Sequence, residues 1–371
     1  GLIESDLELS HAQMGAIMGA WQLVYIFSAI PGGILLDKLG PRWALAIGGL
    51  LIAASIFARG MANDFTELVV AAMLFGLGGP IVSAGAPTVV TANFSGSSRG
   101  MAMGIYLTGP AIGAIIALTL THPVFLPMFD GVWRGVMFLF AGGCLAAVLV
   151  WLFCAAHPSL GSKARQVSAG RALPQGQVLS VLIRQPAVVI ILLMGVGVFM
   201  FNHGLHNWLP ELLRSAGMSF TEAGYWAALP TIIGLVGSLI IPRLATPKWR
   251  FKILIGLCLF AAAASVLLHF ESRLLLFSGL VLQGIARSSL MVVLVLTLVE
   301  LPGIPERHIG VATGLFFAAA ETGGVFGPLS LGFLYDLTHG FDAGLYMLTV
   351  LALAVAFGGN KLRRLSEAAP T

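Results

Sequence analysis

Two ionisable residues stand far from any other charge. Arg287 lies 14 residues after Arg273 and 13 before Glu300, and Glu321 lies 14 after Arg307 and 15 before Asp336. If each run is a helix crossing a bilayer, a rise of about 1.5 Å per residue puts both side chains roughly 20 Å from either end, near the midplane and at equal depth. A charge there costs about 2.5–3.5 kcal/mol even on the lenient insertion scale, so it faces a cavity or a partner. The chemistry expected is binding. Arg287 takes an anionic group of a solute or pairs with Glu321, and Glu321 carries a coupling proton. A purely structural ion pair joining two helices is the plain alternative.

A second polar cluster is Asn202-His203-Gly204-Leu205-His206-Asn207-Trp208, in the outer part of an apolar run over 187–212. His203 and His206 are three apart and share one helix face, and Gly204 and Pro210 suggest a bendable helix. These residues, with Asn207, are expected to form a cavity wall or outer gate with an imidazole able to meet substrate or proton. The alternative is polar packing, or anchoring of Trp208 at the interface. No further Cys or carboxylate cluster completes a metal-ligand set, so no metal is expected. Gln22, Tyr25 and Tyr106 are further cavity-lining candidates, as are Thr88, Thr91 and Thr108, although hydroxyls in membrane helices commonly bond to backbone. HExxH and GxxxxGK[ST] are absent, so neither an enzyme nor a cofactor is expected. Without an ATP motif, the energy for any work comes from a gradient.

The elements that must position these groups follow from composition. Of 371 residues, 58% are hydrophobic and 10% charged, and the mean hydropathy is +0.94. A soluble domain carries about a quarter charged residues, so a soluble enzyme, a nucleic-acid binder and a disordered chain are excluded. Cys144, Cys154 and Cys258 lie in apolar stretches without CxxC pairing, which points away from a disulfide framework. Apolar stretches long enough to span a bilayer predict eleven helices over 12–36, 44–62, 65–92, 100–127, 132–155, 187–212, 220–244, 251–270, 273–299, 308–333 and 343–361. The runs are continuous rather than alternating, which excludes a β-barrel. One polar connection, 157–186, divides the chain into an N-terminal bundle (1–156) and a C-terminal bundle (187–371). With that connection placed in the cytoplasm and the spans alternating outward from it, 15 of the 20 Lys and Arg fall inside and four outside, Arg287 being the remaining one. This is the positive-inside pattern of a multi-pass inner-membrane protein with a cytoplasmic C-terminus.

The two bundles repeat one another. Ser10-His11-Ala12-Gln13 matches Ser219-Phe220-Thr221-Glu222 as a helix-starting capping box. Arg42 matches Lys252, Gly113 matches Gly323, and Phe129-Asp130 matches Phe341-Asp342, at offsets of 209 to 212 residues. The G-x-A-x-G after Arg99 likewise matches the one after Arg307. Nearly constant spacing indicates duplication, hence an all-α membrane protein of two pseudo-symmetric helical bundles. In the C-terminal copy a helix precedes the capping box, whereas only nine residues precede Ser10. The expectation is eleven transmembrane helices present of a full twelve, with the first absent.

Gly33-Ile34-Leu35-Leu36-Asp37-Lys38-Leu39-Gly40-Pro41-Arg42 resembles the G-x-L-x-D-[RK]-x-G-x-[RK] signature of the major facilitator superfamily, at the loop where that family carries it. Gly104 to Gly113, including Gly109 and Pro110, is similar to the family's glycine-proline motif on helix five, and Gly323-Gly324-Val325-Phe326-Gly327-Pro328 echoes it. The family's R-x-x-Q-G pattern on helix four is lost, with Ala72 and Phe75 in place of the Arg and the Gln. Asn207-Trp208-Leu209-Pro210 with Ala223-Gly224 is similar to the cyanate-transporter-like branch. The resemblance implies a secondary transporter that moves a small solute by alternating access, with gating by Gly33, Asp37, Lys38, Gly40, Arg42, Gly109 and Pro110. A small anion is preferred because of Arg287, and proton coupling because of Glu321. The partners implied are a small-molecule substrate, protons and the lipid bilayer, with no nucleic acid and a monomeric state. A drug or metabolite exporter is the alternative within transport, and a non-transporting receptor or scaffold the alternative outside it.

Overall fold

The structure is a computed structural model that describes residues 1–157, 180–270, 272–301 and 309–368. Lys163, Arg165, Arg171 and Arg307, with most of the 157–186 connection, lie outside the described residues. All regular elements among the described residues are helical. The helices are α1 (Leu2–Asp6), α2 (His11–Met61), α3 (Phe65–Asn93), α4 (Gly96–Leu120), α5 (Trp133–Cys154), α6 (Pro186–Ser215), α7 (Phe220–Leu244), α8 (Arg250–Leu267), α9 (Arg273–Val299), α10 (Ile309–Thr338) and α11 (Asp342–Ala368). The chain divides into two compact units, Gly1–Arg171 and Ala172–Thr371. Among the described residues, nine helices are long and apolar enough to cross a membrane, α2 counting once and α10 falling outside the nine.

The helices expected over 12–36 and 44–62 are both present, joined across a kink within the 51-residue run α2. At about 1.5 Å per residue this run is more than twice as long as a hydrocarbon core about 30 Å thick. It is broken at Gly40 (φ 73°, ψ 164°), a backbone geometry that glycine alone adopts without strain. Pro41 then restarts the helix, its fixed φ suiting a first helical position. The helix expected over 100–127 ends earlier, because Pro123 cannot sustain the regular ladder. The backbone widens through a π-helical turn, Thr121–Phe125, where the Leu126 N–H donates to the Thr121 carbonyl at 2.7 Å. Finally, α6 runs past Pro210 to Ser215 rather than stopping near 212.

Both capping boxes form. Ser10 Oγ accepts from the Gln13 N–H at 3.2 Å, and the Ser10 N–H donates to Gln13 Oε1 at 2.9 Å. Ser219 and Glu222 make the same reciprocal pair. Packing within each unit relies on small residues, because lipid offers no hydrophobic force to press helices together. In the N-terminal unit a Cβ on Gly76 would lie 2.4 Å from the Trp21 carbonyl oxygen, and one on Gly78 would lie 2.5 Å from that of Gly48. Ser55 Oγ donates to the Ala71 carbonyl at 2.6 Å across the same α2–α3 contact. In the C-terminal unit the tightest contact is α10 on α6. There a Cβ on Gly323 would lie 2.0 Å from the Val196 oxygen, and one on Gly327 would lie 2.4 Å from that of Met200. The corresponding glycines of α4 behave differently: a Cβ on Gly104, Gly109 or Gly113 meets nothing within 4 Å. Phe27, Phe153 and Phe357 are more than two-thirds exposed.

At the start of the chain, Asp6 accepts from Trp133 Nε1 at 3.0 Å and from Arg134 Nη1 at 2.5 Å, tying α1 to the first turn of α5. Hydrogen bonding from Arg134, then from Trp133, holds the Asp6 carboxyl below its usual range. The folded value is depressed, so this tether contributes above the ordinary carboxylate value and is lost as pH falls through the lowered one.

Gly323→Ala is expected to lower stability by about 1–3 kcal/mol through overpacking, read as a melting temperature several degrees lower in detergent, and Gly109→Ala to leave it unchanged. Amide exchange of residues 1–10 is expected to quicken below about pH 4, and in Asp6→Asn to be fast at every pH.

Candidate functional site

The C-terminal unit brings α6, α7 and α9 together around Arg287. The guanidinium Nη1 donates to Thr231 Oγ1 of α7 at 3.3 Å. Asn202 Nδ2 of α6 donates to the Arg287 backbone carbonyl at 3.4 Å. Gly284 allows this approach, since a Cβ there would lie 2.7 Å from the Pro230 oxygen of α7. Thr231 is buried, 6% exposed. Arg287 itself is half-buried, near the middle of α9.

Glu321 is near the middle of α10 and 7% exposed. Among the described residues no ion pair joins it to Arg287, and its Oε2 is fully buried with no hydrogen-bond partner. The equal depth expected from sequence is corrected by helix register. Gly323 sits against Val196 and Met200, which puts Glu321 close to the level of Val196, whereas Arg287 is at the level of Asn202. Six residues of α6 separate those levels, about 9 Å at 1.5 Å per residue. Distance from helix ends could not reveal this offset, because helices in a bundle slide to wherever their small residues interlock.

The α6 cluster is also placed differently from expectation. Because α6 runs from Pro186 to Ser215, Asn202 and His203 lie near its middle rather than in its outer part. The His203 ring lies 5.4 Å from that of Phe199. His206 Nδ1 is buried without a partner, as is Asn202 Oδ1. Asn207 is half-buried. Trp208 is 1% exposed, and its indole N–H donates to the Pro328 carbonyl at 2.8 Å. It is therefore a core residue joining α6 to α10, not an interfacial anchor.

In the N-terminal unit Gln22 is fully buried, and Tyr25 packs edge-on against Trp21 at 6.0 Å. Trp21 packs in turn on Phe75 at 5.4 Å, and Ala72 is 1% exposed. Aromatic packing thus fills the α3 face on which the helix-four Arg and Gln are lost. Tyr106 of α4 is half-buried. The hydroxyls of Thr88, Thr91 and Thr108 donate to backbone carbonyls of their own helices. Asp37 and Lys38 are exposed next to the Gly40 break, and a Cβ on Gly33 would meet nothing within 4 Å. The Arg42 carbonyl accepts from Trp151 Nε1 at 3.0 Å, anchoring the restart of α2 to α5. Pro110 lies within α4, beside Gly109.

Two residues of the C-terminal unit escaped the sequence reading, Thr231 and Gln283. Gln283 is fully buried on α9, and both its side-chain polar atoms lack partners. Its position one turn before Arg287, on the same helix face, was the available signal.

The chain as a whole is similar to known transporters. The family described as Major Facilitator Superfamily matches residues 2–328. The uncharacterized transporter YycB of Bacillus subtilis (strain 168) is 24% identical, over 96% of this chain and 86% of its own. The hexuronate transporter of the same organism is 24% identical, over 95% and 86%. Among solved structures, a bacterial homolog of the human lysosomal transporter Spinster, inward-facing and occupied, aligns with a TM-score of 0.79 at 16% identity, covering 98% of this chain and 91% of that one. The nucleoside transporter NupG aligns at 0.74 and 13% identity, covering 98% and 93%.

A buried carboxyl group without a partner lowers stability. Glu321→Met is expected to raise stability by about 1–3 kcal/mol, seen as a higher melting temperature in detergent. A lower melting temperature would show that Glu321 holds the bundle together.

Proposed function

The chain belongs to the Major Facilitator Superfamily, and on that premise we propose that it carries a small organic anion across the membrane. It is a multi-pass membrane transporter of a small-molecule substrate and not an enzyme. The observation that carries the anion reading is Arg287. It is a cation in the middle of a membrane helix, its guanidinium held by Thr231 and its backbone carbonyl by Asn202, with no carboxylate partner among the described residues. A guanidinium offers five donors in a planar fork suited to a carboxylate, and one hydrogen bond to Thr231 leaves most of that capacity for a ligand. Relatives named for hexuronate and for galactarate or D-glucarate support a carboxylate as its target. The substrate class proposed is therefore a sugar acid or a similar small carboxylate.

Glu321 is proposed as the proton carrier. Its separation from Arg287 lets it gain and lose a proton without breaking an internal ion pair, which suits gradient-driven accumulation by alternating access. The charge asymmetry of the sequence supports an inner-membrane protein with cytoplasmic central loop and C-terminus. The duplicated pattern supports two helical bundles.

Uptake into proteoliposomes tests both roles. D-glucuronate is expected to enter in preference to neutral glucose. Arg287→Ala should reduce kcat/KM for the acid about 100-fold or more. Glu321→Gln should retain exchange of internal for external substrate while losing accumulation driven by a pH gradient. Equal uptake of glucose and glucuronate by the native protein would defeat the anion role. Undiminished pH-driven accumulation by Glu321→Gln would defeat the coupling role.

A further inference from the structure

We propose that His206 and Gln283 form a second binding rung, one helical turn from Arg287, that reads the hydroxyl groups of a polyhydroxylated acid. The inference rests on Arg287 as the anion-binding group. It begins with register. Gly284 lies against Pro230 and Gly237 against Ser288, so α7 and α9 run parallel. Residues 216–219 return the chain directly from α6 into α7, so α6 runs antiparallel to α9. The hydrogen bond from Asn202 to the Arg287 carbonyl sets 202 opposite 287. Four residues onward on α6 is His206, and four residues back on α9 is Gln283. The same register puts these two at one height, about 6 Å from the Arg287 level.

The chemistry of the rung is incomplete without a visitor. Gln283 is fully buried, yet neither Oε1 nor Nε2 has a partner. His206 Nδ1 and Asn202 Oδ1 are also buried and unpartnered. Buried amide and imidazole atoms are almost always hydrogen-bonded, and leaving them bare costs stability. Four such atoms on two facing helices beside the anion-binding guanidinium are a set of donors and acceptors suited to hydroxyls, each of which both gives and accepts a hydrogen bond. The spacing between the rungs matches the reach from the carboxylate of a six-carbon acid to the hydroxyls on the far part of its chain. A site of this kind rejects an analogue lacking the hydroxyls, because the polar atoms are then left unpaired.

The test compares D-glucuronate with hexanoate, by apparent Kd for the purified full chain and by uptake into proteoliposomes. Native protein should prefer glucuronate by at least about 100-fold. Gln283→Leu should lower that preference roughly 10- to 100-fold by weakening glucuronate alone, whereas Arg287→Ala weakens both acids together. Gln283→Asn keeps the amide but shortens its reach, and should lower the preference in the same direction if the leucine variant fails to melt cooperatively. An unchanged preference in Gln283→Leu, or in Gln283→Asn where the leucine variant does not fold, would overturn the proposal and leave only internal water as the partner of these atoms. Native protein that binds the two acids equally would overturn it too, with the anion reading intact. Binding of neither acid would defeat the anion reading and this inference together.

Discussion

Hydrocarbon does not solvate polar atoms, and the C-terminal unit is organised by that refusal. Backbone groups are satisfied inside each helix, so only side chains remain as a source of unmet hydrogen bonds. Most are disposed of locally: hydroxyls such as Thr297 donate back to their own helix, at 2.7 Å to the Val293 carbonyl. Arg287, Glu321, Gln283 and His206 are not disposed of in this way. Each carries capacity that the surrounding helices leave unused, on elements whose packing fixes where that capacity is presented.

That packing is itself set by absent side chains. α10 approaches α6 closely enough that Gly323 and Gly327 have no room for a methyl group. The contact locks the vertical position of α10, and with it the level of Glu321. α9 is held against α7 by Gly284 and against α8 by Gly279, which fixes the level of Arg287. The separation of the two charges is therefore a consequence of where glycines interlock, and not of any attraction between the charges. A separated pair suits a transporter better than a closed one. A buried ion pair would spend the guanidinium on its neighbour, whereas here the cation and the carboxyl group can serve different ligands.

Particular residues show how far the linear pattern could be read. Helix existence was legible because continuous apolar runs can be nothing else in a chain this poor in charge. The capping boxes at Ser10 and Ser219 were legible because they depend on residues three apart. The polar importance of Arg287, Glu321 and the α6 histidines was legible because each interrupts an apolar run. Gln283 was overlooked because an uncharged residue in a long helix carries a weaker signal. Thr231 was overlooked because its role depends on α9 passing beside it. Trp208 was legible as a special residue but not as a core one, since its indole partner is the carbonyl of Pro328, 120 residues away.

Composition, hydropathy and short-range spacing by themselves determined an all-helical membrane protein, its start signals and the residues too costly to bury without purpose. These are properties of one segment and its solvent, and so are written in consecutive residues. Tertiary structure alone decided which of those residues meet. It placed Asn202 and Thr231 on Arg287, set the backbone level of Glu321 about 9 Å from that of Arg287 along the helix axis, and put His206 at the height of Gln283. Such relations depend on how helices slide and lean against one another, and in lipid that is governed by small-residue contacts between segments distant in the chain.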